Sequence, residues 1–152
     1  MEKKHRAVFP TPYRSTEASE CIRFRYIYCQ CYEIVLPGGV TIVTDPFISG
    51  AVDDFTIDDL SGADYIILSH THFDHDMDTR KIWDKFHGRI ICLKEVAMDI
   101  AEFFDIPYSN IYAVSENCTY YMPDFTLQTF HGLHDNRKAR EGTDKKPSEQ
   151  GD

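Results

Sequence analysis

The run Ser69-His70-Thr71-His72-Phe73-Asp74-His75-Asp76 sets three imidazoles and a carboxylate within six residues, directly after the apolar segment Ala63-Asp64-Tyr65-Ile66-Ile67-Leu68. That segment is partly β-branched and bounded by Ser61-Gly62, and it reads as a buried strand. The donors therefore begin where a strand ends. Residues i and i+2 of an extended chain share a side, so His70 and His72 converge on one ion while the chain stays extended. Asp74 and His75 fall on the loop or first helical turn beyond, where they present a hard oxygen and a further nitrogen to a second ion. Imidazole and carboxylate at this spacing are an ordinary ligand set for zinc.

Two other segments belong with this run. Val40-Thr41-Ile42-Val43-Thr44-Asp45-Pro46-Phe47 is a second short strand that closes on Asp-Pro. Such a dipeptide is also a common turn. Farther on, Phe125-Thr126-Leu127-Gln128-Thr129-Phe130 alternates like a strand and runs into His131-Gly132-Leu133-His134-Asp135. Two histidines leave an ion needing a third, and both His134 and His131 stand at this strand's end. Gly132 lets the backbone turn toward a ligand, which favours His134; His131 is the alternative ligand or a pocket residue.

The pattern His-x-His-x-Asp-His after an apolar strand, with the earlier strand-Asp-Pro, resembles the signature of the metallo-β-lactamase-fold hydrolases, in wording most like the lactonase and phosphodiesterase branch. The resemblance implies an α/β fold, an αββα sandwich of which this chain carries the N-terminal half. It implies His70, His72 and His134 or His131 around one metal, and Asp74 and His75 at a second. Asp45 would support the metal loop through hydrogen bonds, as metal sites require. Asp74 and Asp45 are the carboxylates of the catalytic apparatus, Asp74 holding ion and water. One or two Zn²⁺ ions, or another divalent transition metal, would activate a water to cleave an ester-like bond in a small-molecule substrate. A bridging Asp and a final His of the family have no counterpart before Asp152. The alternatives are a metal-binding but catalytically incomplete fragment and a non-enzymatic interaction module.

At 152 residues with 42% hydrophobic content, the chain can build one core. Its expected divisions are a flexible lead-in over 1–20, the domain over 21–135, and a tail over 136–152 that is too polar to bury a core. A net charge of −9 argues against a phosphate-facing nucleic-acid surface. Lys3, Lys4 and Arg6 are followed by no apolar run, and no stretch reaches the length of a membrane span, so the chain reads as cytoplasmic. Five cysteines fit that compartment. Cys29 and Cys31 are expected on one side of a strand, as core residues rather than a soft metal or redox pair.

The remaining pattern predicts a strand over 22–36, a turn at Pro37-Gly38-Gly39, and a strand over 40–44. An acidic loop or short helix over 51–60 follows. Beyond the histidines a helix capped by Asp78 or Thr79 buries Ile82, Trp83 and Phe86 and ends at Gly88. A strand over 89–93 comes next, then a helix over 94–105 burying Val96, Ala97, Ile100, Phe103 and Phe104. Strands near 111–114 and 118–130 complete the order, the second broken at Pro123-Asp124. A sheet covered by helices on one side leaves an apolar face, which ought to promote self-association.

Overall fold

A computed structural model of the chain describes residues 21–51 and 54–133. The expected lead-in and tail lie outside these residues, and so does His134.

Six strands form one mixed sheet in chain order: β1 (Arg23–Tyr28), β2 (Cys31–Val35), β3 (Thr41–Thr44), β4 (Tyr65–Ile67), β5 (Arg89–Leu93) and β6 (Ile111–Val114). The first three are antiparallel, and β3 through β6 are parallel. Connections account for the change. The turn between β2 and β3 is tight because Gly38 and Gly39 adopt φ of 91° and 93°, which side chains disfavour. The parallel strands need crossovers. These are helices α1 (Phe73–Asp76) and α2 (Thr79–Phe86) before β5, and α3 (Ala97–Phe103) before β6. A separate hairpin, β7 (Thr119–Tyr121) with β8 (Thr126–Gln128), ends the described chain.

Several local expectations are corrected. Residues 22–36 are not one strand but a hairpin, in which Tyr28 pairs with Cys31 and Cys29 takes the left-handed φ of 49°. Cys29 and Cys31 therefore do not share a face: Cys31 is fully buried, whereas Cys29 is half-buried at the turn. Phe103 is 58% exposed, while Ala97, Ile100 and Phe104 are buried. Asp78 occupies the N-cap position of α2, yet its carboxylate makes no capping hydrogen bond. At the other end of α2 the left-handed residue is His87, with φ of 54°. Gly88 is needed for a different reason, since a Cβ there would lie 2.0 Å from the Ala63 carbonyl oxygen.

One sheet face packs Val43, Ile66, Ile90 and Cys92 against Ile82 of α2 and Ala97 and Ile100 of α3. Full burial of each such isoleucine contributes about 1.5–3 kcal/mol. On the opposite face Ile42, Tyr65, Ile91 and Val114 are covered by Tyr120, Met122, Phe125 and Leu127 of the β7–β8 hairpin. Tyr65 meets Phe125 edge-on with ring centroids 5.0 Å apart. Phe24 and Tyr26 of β1 stay 63% and 48% exposed.

On β1 and β2 a buried carboxylate ties the strands to the segment that follows β3. Glu33, 2% exposed, accepts a hydrogen bond from the Ser61 amide and pairs with Arg25 at 3.3 Å. Arg25 also donates to the Asp59 carbonyl at 3.2 Å, so the segment around the 3-10 turn Ile57–Asp59 is pinned across the strands. At the amino ends of the parallel pair, the Asp64 carboxylate accepts from the Thr41 amide at 2.7 Å and its hydroxyl at 2.8 Å. At the carboxyl ends, β3 runs into Asp45 and β4 into Ser69, and that edge is where open α/β sheets place their ligand sites.

Replacing Gly88 with alanine is expected to lower stability by about 1–3 kcal/mol through overpacking against residues 63 and 64. The readout is the urea midpoint at unchanged slope. A midpoint equal to wild type would mean that this approach is not tight.

Candidate metal centre

Asp45 leaves β3 with φ of 39°, a left-handed conformation that Asp tolerates better than most residues. The bend turns its carboxylate back over the end of β4. There Oδ1 accepts from the Ser69 amide at 2.7 Å and Oδ2 from the Ser69 hydroxyl at 2.8 Å. The carboxylate is buried, 6% exposed, so these bonds satisfy a charge that has little access to water.

The serine hydroxyl has one proton, and Asp45 receives it. Ser69 Oγ lies 3.0 Å from His70 Nδ1, so that contact is a hydrogen bond only if His70 Nδ1 is the donor. Asp45 and Ser69 together thus select the Nδ1–H tautomer of neutral His70, leaving Nε2 with the lone pair. The His70 ring lies 4.7 Å from the ring of His72 and 4.0 Å from that of His75, centroid to centroid. His72 is extended, at φ −72° and ψ 150°, and begins the single turn α1. That turn carries Asp74 and His75 round to the same place.

His75 Nδ1 is 3.2 Å from Asp45 Oδ2, close enough for an ion pair but not aligned as a hydrogen bond. Its Nε2 lies 3.8 Å from Asp74 Oδ2. Burial pulls the His75 imidazole down, but the contact with Asp45 and the charges of Asp45, Asp74 and Asp76 outweigh it, so its pKa is raised above the usual 6.5. The surroundings favour positive charge at this point. That preference, with imidazole nitrogens and carboxylate oxygens as donors, fits a divalent transition metal. Among the described residues no group of three or more His, Cys, Asp or Glu side chains is already arranged to hold a metal ion.

His131 stands elsewhere. It is exposed, its Nδ1 pairs with Glu116 Oε2 at 2.8 Å, and its amide donates to Asn117. Glu116 follows β6, two strands beyond β4 in the sheet, so His131 shares the carboxyl edge without joining the cluster. His134 lies outside the described residues.

The sequence reading missed the flank of the site. Tyr28, Phe47 and Phe73 form an aromatic row with centroid distances of 5.7 and 5.6 Å. The β1–β2 turn is close enough that, after burial, the Asp74 charge helps raise the Cys29 thiol. Burial pushes Cys31 up to about 12; a hydrogen bond from the Phe47 backbone opposes this, and the charges of Asp45, Asp78 and Glu33 add to it. A thiol held neutral in this way is a weak nucleophile at ordinary pH.

A family profile described as the metallo-beta-lactamase superfamily matches residues 26–136. The chain belongs to the metallo-beta-lactamase superfamily. Its similarity extends to a protein named UPF0173 metal-dependent hydrolase from Enterococcus faecalis, 41% identical over 69 residues, which are 45% of this chain and 30% of that protein. A protein of the same name from Caldivirga maquilingensis is 33% identical over 64 residues, 42% of this chain and 28% of that one. Among solved structures, a novel metallo hydrolase from the hyperthermophilic archaeon Ignicoccus hospitalis superposes with a TM-score of 0.59 at 19% identity, covering 68% of this chain and 43% of that one. That likeness is one of fold. The chain matches less than half the length of these relatives.

In the metal-free protein, nitrogen NMR at a pH where His70 is neutral should show its proton on Nδ1. Ser69→Ala should move population to the Nε2–H tautomer, and Ser69→Thr should restore the wild-type signal. An unchanged tautomer in Ser69→Ala would refute the hydroxyl's role. Separately, Asp45→Ala should cost about 2–4 kcal/mol of stability, since hydrogen bonds to a charged group contribute about 1.5–3 kcal/mol; chemical denaturation measures it.

Proposed function

We propose that this chain carries the metal-binding edge of a metal-dependent hydrolase that uses zinc to cleave an ester-like bond, such as a lactone or phosphodiester, in a small-molecule substrate. The observation that carries the reading is the gathering of the His70, His72 and His75 rings with Asp74 and Asp45 at the carboxyl edge of β3 and β4. Membership of the superfamily and the printed names of its relatives support it.

His70, through Nε2, and His72 would hold one ion with His134 or His131. Asp74 and His75 would contribute to a second. A bound metal supplies a water acidic enough to ionise near neutral pH and a positive charge for the oxygen of the bond under attack. The protein's own groups do the rest. Asp74, whose side chain is 34% exposed, can accept a hydrogen bond from the attacking water and orient it. Asp45 touches no substrate in this scheme; it fixes Ser69 and His75. Tyr28, Phe47 and Phe73 wall one flank with apolar surface and limit the approach of bulk water there.

We place the protein in the cytoplasm, since all five cysteines are free and a reducing compartment keeps thiols so. Among the described residues no helix is long and apolar enough to cross a membrane.

The test combines metal analysis with turnover. The purified chain should take up zinc, and the double variant His70→Ala, His72→Ala should lose at least one equivalent. A double variant with wild-type zinc content would sink the assignment. A second reading is metal binding without turnover, since Asp74 and His75 alone would give a second ion only two protein donors. Calorimetric titration separates the two: two tight sites with hydrolysis of a generic ester or bis-phosphodiester support the first, and one tight site without turnover supports the second.

A further inference from the structure

Asp78 holds the N-cap position of α2 without capping it. Its side chain is completely buried and is spent elsewhere. Oδ2 accepts from the Ser49 amide at 2.7 Å, and Oδ1 accepts from Lys81 Nζ at 2.9 Å. The Asp78 amide in turn donates to the Pro46 carbonyl at 3.1 Å. Next to it, the Ser49 hydroxyl reaches Met77 Sδ at 3.4 Å. Residues 46–49 follow Asp45, and residues 77 and 78 follow the turn that carries Asp74 and His75. One buried carboxylate thus fastens the segment leaving Asp45 to the segment leaving the histidine run.

The fastening matters because Asp45 sits in a left-handed conformation that the following residues must hold in place. If 46–49 loosens, the Asp45 carboxylate loses its aim at Ser69 and His75. A helix start normally uses such a side chain to satisfy its own amides, so its diversion to Ser49 is a choice the capping rule does not explain. We propose that Asp78 is a positioning residue for the metal centre, acting through the 46–49 segment and Asp45 on the orientation of His70 and His75. The inference rests on the reading of residues 70–75 as metal donors.

Asp64 provides the control. Its carboxylate also accepts a backbone amide, that of Thr41, and joins β3 to the segment before β4 at their amino ends, away from the histidines. Removing either carboxylate should lower stability; only Asp78 should disturb the site. In the metal-free chain, Asp78→Ala should shift the imidazole signals of His70 and His75 and speed amide exchange at Ser49 and Ser69. Zinc affinity should fall about 10–100-fold, as when the partners behind metal ligands are lost. Asp78→Asn keeps an uncharged acceptor for Ser49 and should show the same changes at smaller size. Asp64→Asn should leave imidazole signals and zinc affinity as in wild type. If Asp78→Ala does not fold, the contrast between Asp78→Asn and Asp64→Asn carries the test.

The proposal is overturned if the Asp78 variants leave the imidazole signals and Ser49 exchange unchanged, or if Asp64→Asn lowers zinc affinity equally. Should the wild-type chain take up no zinc, the functional reading fails, while the imidazole and exchange measurements still decide the role of Asp78.

Discussion

A buried carboxylate must find donors, and Asp45 finds them across the gap between two parallel strands. Its two oxygens take the Ser69 amide and hydroxyl, and this pins the start of the histidine run to the end of β3. Neither strand dictates that arrangement alone. The strand pairing between β3 and β4 ends at Thr44 and Ile67, and the last backbone bonds to neighbouring strands are those of the Asp45 amide to the Ile67 carbonyl and the Leu68 amide to the Ile91 carbonyl. From Ser69 onward the backbone is directed by side-chain bonds, first to Asp45 and then through the single turn α1. The desolvation of one Asp thereby fixes where three imidazoles go.

The same desolvation gives the site its electrical character. Asp45, Asp76 and Asp78 are all buried within a few residues of the histidines or in contact with them, and Lys81 pairs with Asp78. The outcome is visible at His75, where burial lowers the pKa but the Asp45 contact and the neighbouring carboxylate charges raise it above its usual value. A protein surface with a net negative charge would offer such a preference weakly, because water screens it. Beneath the surface it is strong enough to matter. A divalent cation entering here meets carboxylates whose combined charge favours it.

Much of this was legible because the informative residues are adjacent in sequence. The histidine run, the strand before it and the Asp-Pro after β3 announce a polar edge on a parallel sheet, and β5, β6 and the β7–β8 break fall where apolar periodicity puts them. What was illegible depended on contacts between distant segments. The hairpin turn at Cys29-Gln30 has no Gly, Asn or Pro, and alternation runs straight through it, so nothing local betrays a reversal that tertiary packing enforces at a left-handed cysteine. Asp78 looks like a cap because the capping rule is local; its real partner, Ser49, is 29 residues away. Phe103 lies on the apolar stripe of α3, yet it is 58% exposed. Gly132 favoured His134 over His131 by backbone freedom alone, and nothing in the sequence signals the Glu116 contact that engages His131.

The paired carboxylates at the two ends of β3 and β4 have a further consequence. These strands are four and three residues long, too short for ladder bonds alone to distinguish one alignment from a neighbouring one. Asp64 against Thr41 and Asp45 against Ser69 act as stops at either end, so a slip in either direction would strand a carboxylate. Length is therefore fixed inside each strand and free between them. Insertions and deletions between Gly50 and Thr56 should be tolerated by the sheet, while a single residue added to β3 or β4 would move Ser69 off Asp45 and carry every donor after it out of place.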